Sequence, residues 1–554
     1  MRLLSGDSEA PRGSGVTSRE WRADPHALGV IETWLRHHAD IVAIVLAVLG
    51  FLTRLQDAAG KWLNGDEALH FLIANQPSLS VVYRDSLTNA HPPLFYFILH
   101  FWMRLGDSEV SLRLLSVLAG AATIWVVYLW LARWSPVWGL TTALLLALLP
   151  SLAGLDAEVR GYAILMLFMA GTLLTLEKAM AESSRTAMIM SALLLYAAIL
   201  THYSALFFAA AIGIVGLLRV ALTRPGRRFT VTWGATLVGA AALCLFLFLT
   251  HVSRIRGGGM DREAHTGWLR AYFFDSTNDN LVRFMVSRTR GVFAYIFASK
   301  IGAVVGLLLF CAGVILLFAG RTRSSGEAVS GRYLGLTVLL AFALTAAGAV
   351  AGLFPYGNTR HVAFLALFVL PAACLPVVWV MRERVWASLL VAALAVVGLR
   401  SLAPPADQWM SRANQRRQLM VAAMDTLRQQ IPAGAPVLVD YQTSLLLGYY
   451  LRDGGVGPFP SMAVEPADVP LDGIRMLVWG TWDFDPVSFE RALLSLANTG
   501  TLPPGQRVWV VDAGRGRQLT PGAMTFGENI AIFTVELPAP ESGAPSPGGS
   551  TGAP

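Results

Sequence analysis

Two adjacent carboxylates, Asp66 and Glu67, stand in NGDEALHF (64–71), just past the first long apolar run and ahead of HPPLFYFILH (91–100). In an apolar chain, a pair of acids at a membrane edge is costly unless it is solvated or used. Other polar clusters also stand at the ends of apolar runs. They are Asp156, Glu158, Arg160 and Tyr162 in LDAEVRGY, His202 and Tyr203 in THYS, and Tyr356, Asn358, Arg360 and His361 in PYGNTRH; His91 heads the HPPL segment. A carboxylate can take a proton from a hydroxyl, and a guanidinium can grip an anion with two donors. Each residue has an ordinary use too. Asp66 can cap the helix that Glu67 to Ile73 begins, and Arg160 can anchor on headgroups. His202 and Tyr203 can be interfacial residues, and His91 before Pro92 can end a loop.

The elements that must position these groups follow from composition. Of 554 residues, 55% are hydrophobic and 14% charged, against roughly 25% charged in a soluble domain, and the mean hydropathy is +0.54. This predicts an α-helical polytopic membrane protein. The net charge of +7 sits mostly in loops beside apolar segments, so it reads as membrane orientation and not as nucleic-acid binding. Cys244, Cys311 and Cys374 all fall in apolar stretches, and neither a disulfide nor a thiol metal site is expected. Residues 1–38 are polar and read as a cytoplasmic N-terminal tail with no cleavable signal peptide.

About eleven spans are predicted, over 40–55, 109–131, 136–153, 160–176, 186–201, 204–222, 231–252, 297–319, 332–354, 361–380 and 385–402. With the N-terminus inside, the short cytoplasmic connections carry Arg133, Lys178, Arg185, Arg219, Arg224, Arg227, Arg228, Arg321, Arg323, Arg332, Arg382 and Arg384. The short outer ones hold little beyond Arg160 and Arg360. That asymmetry fits the positive-inside rule, from which the long outer loops 57–108 and 253–296 are exempt. The transmembrane domain is placed at 39–404. Residues 405–537 alternate strand-like runs (437–441, 474–480, 507–514, 529–537) with helical stretches (412–430, 486–498), which predicts a small C-terminal extracytoplasmic α/β domain. The Pro/Gly/Ser-rich tail 538–554 is expected to be disordered.

In this topology the polar clusters share the outer side, which points to an outward-facing cavity. A divalent cation on Asp156, Glu158 and Asp66 is a rival use of the carboxylates, although no dedicated metal loop, H-E-x-x-H pattern, Walker loop or GxSxG occurs. Loop 253–296 carries Arg254, Arg256, Arg262, Arg270, Trp268, Tyr272, Phe273 and Phe274. It reads equally as a lid over a lipid-borne ligand and as an interfacial amphipathic helix.

The acidic pair, HPPLFYF, the second span opening EVSLRLLSVLAG (109–120), E-x-R-x-Y (158–162) and THYS, in this order, resemble the polytopic glycosyltransferases of the C superfamily. The nearest branch is that of protein O-mannosyltransferases and lipid A aminoarabinose transferases, and the resemblance is strongest over about 40–220. It implies transfer of a sugar from a polyprenyl-phosphate carrier to an envelope lipid, glycan or protein on the outer face, usually with inversion. It also implies a plasma (inner) membrane location in a bacterium. Asp66 would be the base and Glu67 its positioning neighbour. Arg160 and Arg360 would hold the donor phosphate, with His91, Tyr162, His202 and His361 in support. Asp156 or Glu158 would bind sugar hydroxyls, orient Arg160 or hold a metal. Acceptor-side features of aminoarabinose transferases are not evident, and the C-terminal region does not look like the β-trefoil insertion of eukaryotic O-mannosyltransferases. The competing functions are a transporter or flippase of lipid-linked sugars, which would place its polar groups near the bilayer midplane, and a non-catalytic scaffold that recruits envelope partners.

Overall fold

The structure is a computed structural model; it describes residues 25–255, 265–320, 331–402, 415–452, 467–471, 473–513 and 523–538. Each of the eleven predicted spans overlaps at least one helix, and eight described helices are long and apolar enough to cross a membrane. In chain order the first twelve helices are α1 (Pro25–His37), α2 (Ala39–Ala58), α3 (Gly65–Ala74), α4 (Leu79–Ser86), α5 (Leu94–Trp102), α6 (Glu109–Ala132), α7 (Pro136–Leu148), α8 (Pro150–Leu155), α9 (Tyr162–Glu182), α10 (Arg185–Thr201), α11 (Ser204–Thr223) and α12 (Arg227–Leu247). Five longer helices follow before the C-terminal region: Leu281–Phe297, Lys300–Phe318, Gly331–Val350, Ala366–Val380 and Val385–Leu402.

The differences from expectation have local causes. The predicted span 136–153 is two helices, because Pro150 pushes Leu149 into extended backbone (ψ 123°) and restarts the helix at its own first position. The loop 57–108 is largely helical, holding α3, α4 and α5, and the polar segment 1–38 contains α1. In 253–296 the helix Leu281–Phe297 is amphipathic, with Phe284, Val292, Phe293 and Ile296 buried and Arg283 and Arg290 exposed. Arg256 and Arg262 lie outside the described residues, as does the tail from 539 onward.

The C-terminal region forms a six-stranded sheet ordered β2-β3-β1-β4-β6-β5, from Ala467–Leu471, Ile474–Trp479, Pro436–Asp440, Arg507–Ala513, Ile530–Glu536 and Met524–Phe526. Central β1 runs parallel to β3 and β4, while the outer pairs are antiparallel. The four predicted strands are β1, β3, β4 and β6. Short β2 and β5, and the helix Tyr441–Tyr450, were not foreseen.

The sheet region does not stand apart from the helices. One apolar cluster joins Phe71 and Leu72 of α3, Phe95 and Leu99 of α5, and Val439, Leu446 and Tyr449 of the C-terminal region. Tyr450 Oη accepts from Leu63 N (2.9 Å) and donates to Glu109 (3.2 Å). The short helix that carries the acidic pair is thus held between the membrane helices and the sheet.

Candidate active site

Helix α3 starts with a capping box. The Asn64 side chain accepts from Glu67 N at 3.0 Å, and Glu67 Oε2 accepts from Asn64 N at 2.9 Å. Glu67 is thereby turned inward, where Arg113 of α6 donates to both its oxygens at 2.7 Å. Arg113 also donates to the carbonyls of Ala58 (2.9 Å), Lys61 (2.8 Å) and Trp62 (2.9 Å), and Val159 N donates to Glu67 at 2.9 Å. One buried carboxylate and one buried guanidinium therefore tie together the end of α2, the start of α3, α6 and the segment before α9. Burial opposes the ionised form of Glu67, but Arg113 and these donors outweigh it and keep its pKa below the usual value.

The neighbouring residue faces the other way. Arg160 and Arg360 both donate to Asp66 Oδ2, the latter at 2.9 Å, while Oδ1 accepts no hydrogen bond among the described residues. Arg160 is held in turn by Glu158 at 2.6 Å. Burial raises the Asp66 pKa, yet the two guanidiniums overcome it and hold the carboxyl well below the ordinary range.

A row of histidines lines the same space, with ring centroids 5.3 Å apart for His70 and His91, 5.1 Å for His91 and His202, and 6.4 Å for His202 and His361. Tyr162 packs on His202 at 4.8 Å. His70 Nδ1 donates to the Asp66 carbonyl (2.6 Å), whereas His202 Nδ1 accepts from Ser204 N (3.1 Å), so the neutral rings carry their protons on opposite nitrogens. Burial, with Arg160 adding to it, lowers His70 to about 4. Burial and His70 lower His202 to about 3. His91 is also well below its usual value through burial and its neighbouring histidines. These imidazoles are neutral near pH 7 and act as hydrogen-bonding groups.

The groups open onto a cavity of about 1940 Å³. Asp66, Glu67, His91, Glu158, Arg160, Tyr162, His202, Arg360 and His361 all line it. Asp156 does not. It lies buried against Arg54 (2.8 Å), which also donates to the carbonyls of Gly50, Leu146 and Ala147. The carboxylates Glu67, Asp156 and Glu158 are thus each engaged by a different arginine. Among the described residues no group of three or more His, Cys, Asp or Glu could hold a metal ion.

Part of the cavity lining is apolar, with Leu206, Phe207, Leu245, Phe248 and Leu353, of which Leu245, Phe248 and Leu353 are exposed. The lining also includes Tyr441, Gln442, Trp482 and Asp483 of the C-terminal region. Trp268, from the segment read as a lid, lies 5.9 Å from His361 and beneath the Arg360 guanidinium.

Sequence reasoning missed Arg54, His70 and Arg113, together with the C-terminal residues on the cavity wall. Arg54 and Arg113 did leave a signal, because a lone arginine inside an apolar run requires a buried partner.

The family model described as dolichyl-phosphate-mannose-protein mannosyltransferase matches residues 90–253. No curated protein matches the chain. Among solved structures, ArnT from Cupriavidus metallidurans bound to undecaprenyl phosphate superposes with a TM-score of 0.51 at 13% identity, over 90% of this chain and 99% of that one. Looser similarity extends to the Archaeoglobus fulgidus oligosaccharyltransferase in its apo form (TM-score 0.43, 12% identity, 73% of this chain and 63% of that one). It extends also to the S. cerevisiae protein O-mannosyltransferase Pmt1-Pmt2 complex bound to the sugar donor (0.33, 19%, 45% and 37%). The chain is thus similar over residues 90–253 to the dolichyl-phosphate-mannose-protein mannosyltransferase family, and its fold is that of a polytopic helical protein similar to ArnT.

Proposed function

We propose that this enzyme takes a sugar from a polyprenyl-phosphate carrier and transfers it, with inversion, to an envelope lipid, glycan or protein at the extracytoplasmic face of a bacterial inner membrane. The observation that carries this reading is Asp66, a partly exposed side chain on the wall of a large cavity, with Oδ2 held by two arginines and no hydrogen bond to Oδ1 among the described residues. A single displacement at the anomeric carbon needs one base and a stable leaving group. Asp66 Oδ1 takes the proton of the acceptor hydroxyl as its oxygen attacks C1. The bond from C1 to the phosphate oxygen breaks with its electron pair on phosphate, so no second carboxylic acid is required, in contrast to glycoside hydrolysis.

Arg160 and Arg360, with the neutral donors of the histidine row, stand where that charge develops. The apolar part of the cavity lining, which includes exposed residues, suits an isoprenoid chain entering from lipid. The part that includes Gln442 and Trp482 suits the acceptor. A transporter is disfavoured because the polar groups gather at one edge of the helices, and a scaffold would have no use for a free carboxylate oxygen between arginines. Full-length protein carrying Asp66→Asn, supplied with an undecaprenyl-phosphate sugar, is expected to lose roughly 10²–10⁴-fold in turnover while keeping its thermal stability; unchanged turnover refutes the base assignment. For orientation, a cysteine at exposed Arg491 is expected to react with an impermeant thiol reagent added outside the cell, and labelling only from the cytoplasm inverts the proposal.

A further inference from the structure

We propose that Arg360 is shared in time between Asp66 and the donor phosphate, so that Asp66 is freed as a base only when the donor is bound. This rests on the phosphate-binding reading above. The two arginines on Asp66 Oδ2 are not equivalent. The Arg160 side chain is 3% exposed and pinned by Glu158 at 2.6 Å. That of Arg360 is 29% exposed, faces the cavity and lies over the Trp268 ring at 5.9 Å. Arg160 is therefore built to stay, and Arg360 has room to turn.

Charge balance gives the motive. Asp66 and Glu158 against Arg160 and Arg360 sum to zero, and the adjacent histidines are neutral. A phosphodiester entering this quartet adds a negative charge beside Asp66, and like charges at such range repel strongly in a poorly solvated site. Turning Arg360 from Asp66 to the phosphate gives the phosphate a charge-assisted partner. It leaves Asp66 with only Arg160, which Glu158 shares, so the proton affinity of Asp66 rises when the acceptor hydroxyl must be deprotonated.

As the bond from C1 to the phosphate oxygen breaks, the phosphate gains a second negative charge and holds Arg360 more tightly, while the acceptor proton rests on Asp66 Oδ1. When the polyprenyl phosphate leaves, Arg360 returns to Oδ2 and drives that proton into the water of the cavity. The carboxylate is reset with atoms and charge conserved.

The test is the binding of undecaprenyl phosphate to the full-length solubilised protein in a double-mutant cycle. Asp66→Asn is expected to tighten binding about tenfold, equivalent to ~1.4 kcal/mol, because Arg360 no longer has to be taken from a carboxylate. In an Arg360→Ala background the same change is expected to tighten binding clearly less, because it then relieves only the repulsion between Asp66 and the phosphate. Equal tightening in both backgrounds means that Asp66 only repels the phosphate, which overturns the exchange. No tightening in the parent background overturns it as well. If Arg360→Ala and Arg360→Lys both leave binding unchanged, the phosphate-binding reading itself fails. Melting temperatures of the four proteins show that each is folded.

Discussion

Arg113 meets Glu67 through two parallel N–H···O bonds of 2.7 Å, one to each carboxylate oxygen, in a site where both side chains are almost fully buried. This pair, one residue from Asp66, sets the direction in which Asp66 points. We propose Glu67 as a positioning residue, with Arg113 as its counterpart on α6.

Removing one partner of such a pair strands a charge. Glu67→Ala or Arg113→Ala is expected to cost about 3–5 kcal/mol and to lower thermal stability and turnover together. The double variant should lose clearly less stability than the two single losses added, since neither charge is then stranded. Additive losses in a thermal-shift assay would mean that the pair is not the clasp described.

Asp156 provides a contrast. It is expected to act through Arg54 and not on the sugar. Asp156→Asn should therefore lower melting temperature while leaving the donor KM within about twofold. Gly120→Ala should resemble it, because an added Cβ would lie 2.4 Å from Asp156 Oδ2 and 2.8 Å from Arg54 Nε. A large rise in donor KM with normal stability would return Asp156 to the site.

The histidine row predicts acid lability. His70 and His202 titrate near 4 and 3 in the folded protein but near 6.5 when unfolded. Between those limits the unfolded chain binds more protons, so stability falls as pH drops below about 6.5, by of order 1 kcal/mol per pH unit for each histidine. Melting curves from pH 7.5 to 4.5 should show this fall, and His70→Gln with His202→Gln should flatten it. An unchanged slope would mean that these rings are not held neutral by burial.

The apolar part of the cavity lining predicts discrimination by chain length. Phe248→Arg or Leu353→Arg should reduce kcat/KM for an undecaprenyl donor at least tenfold, the worth of about two lost methylene contacts. A donor with a short prenyl chain should be affected much less. Equal losses on both donors would place the isoprenoid elsewhere.

Helix periods and loop charges made most of the helical part legible in advance, because the composition of a membrane span is set by lipid and needs no knowledge of neighbours. The strands β1, β3, β4 and β6 were legible for a similar reason, as runs of β-branched and apolar residues. The hairpin partners β2 (ADVPL) and β5 (MTF) were not. They are short, ordinary in composition and ordered only by pairing with a neighbour. At the site, Asp66, Arg160, Arg360, His91, His202 and His361 were found as polar groups at the edges of apolar runs. Asp156 and Glu158, two residues apart, pair with different arginines, because sequence adjacency says nothing about which way each side chain points.

The sequence by itself determined that the chain is a polytopic helical protein with a mixed C-terminal region, and that its unusual polar residues gather at one edge of the helices. Apolar length, loop charge and residue type are local properties, and they suffice for that. Only the tertiary structure decided which carboxylate is sealed against a buried arginine and which is held by Arg160 and Arg360. Asp66 and Glu67 are neighbours of nearly identical chemistry. A capping box and a buried arginine from α6 turn Glu67 inward, while arginines 94 and 294 residues away in sequence meet on Asp66 Oδ2. Electrostatic pairing over such separations depends on packing that no local pattern records.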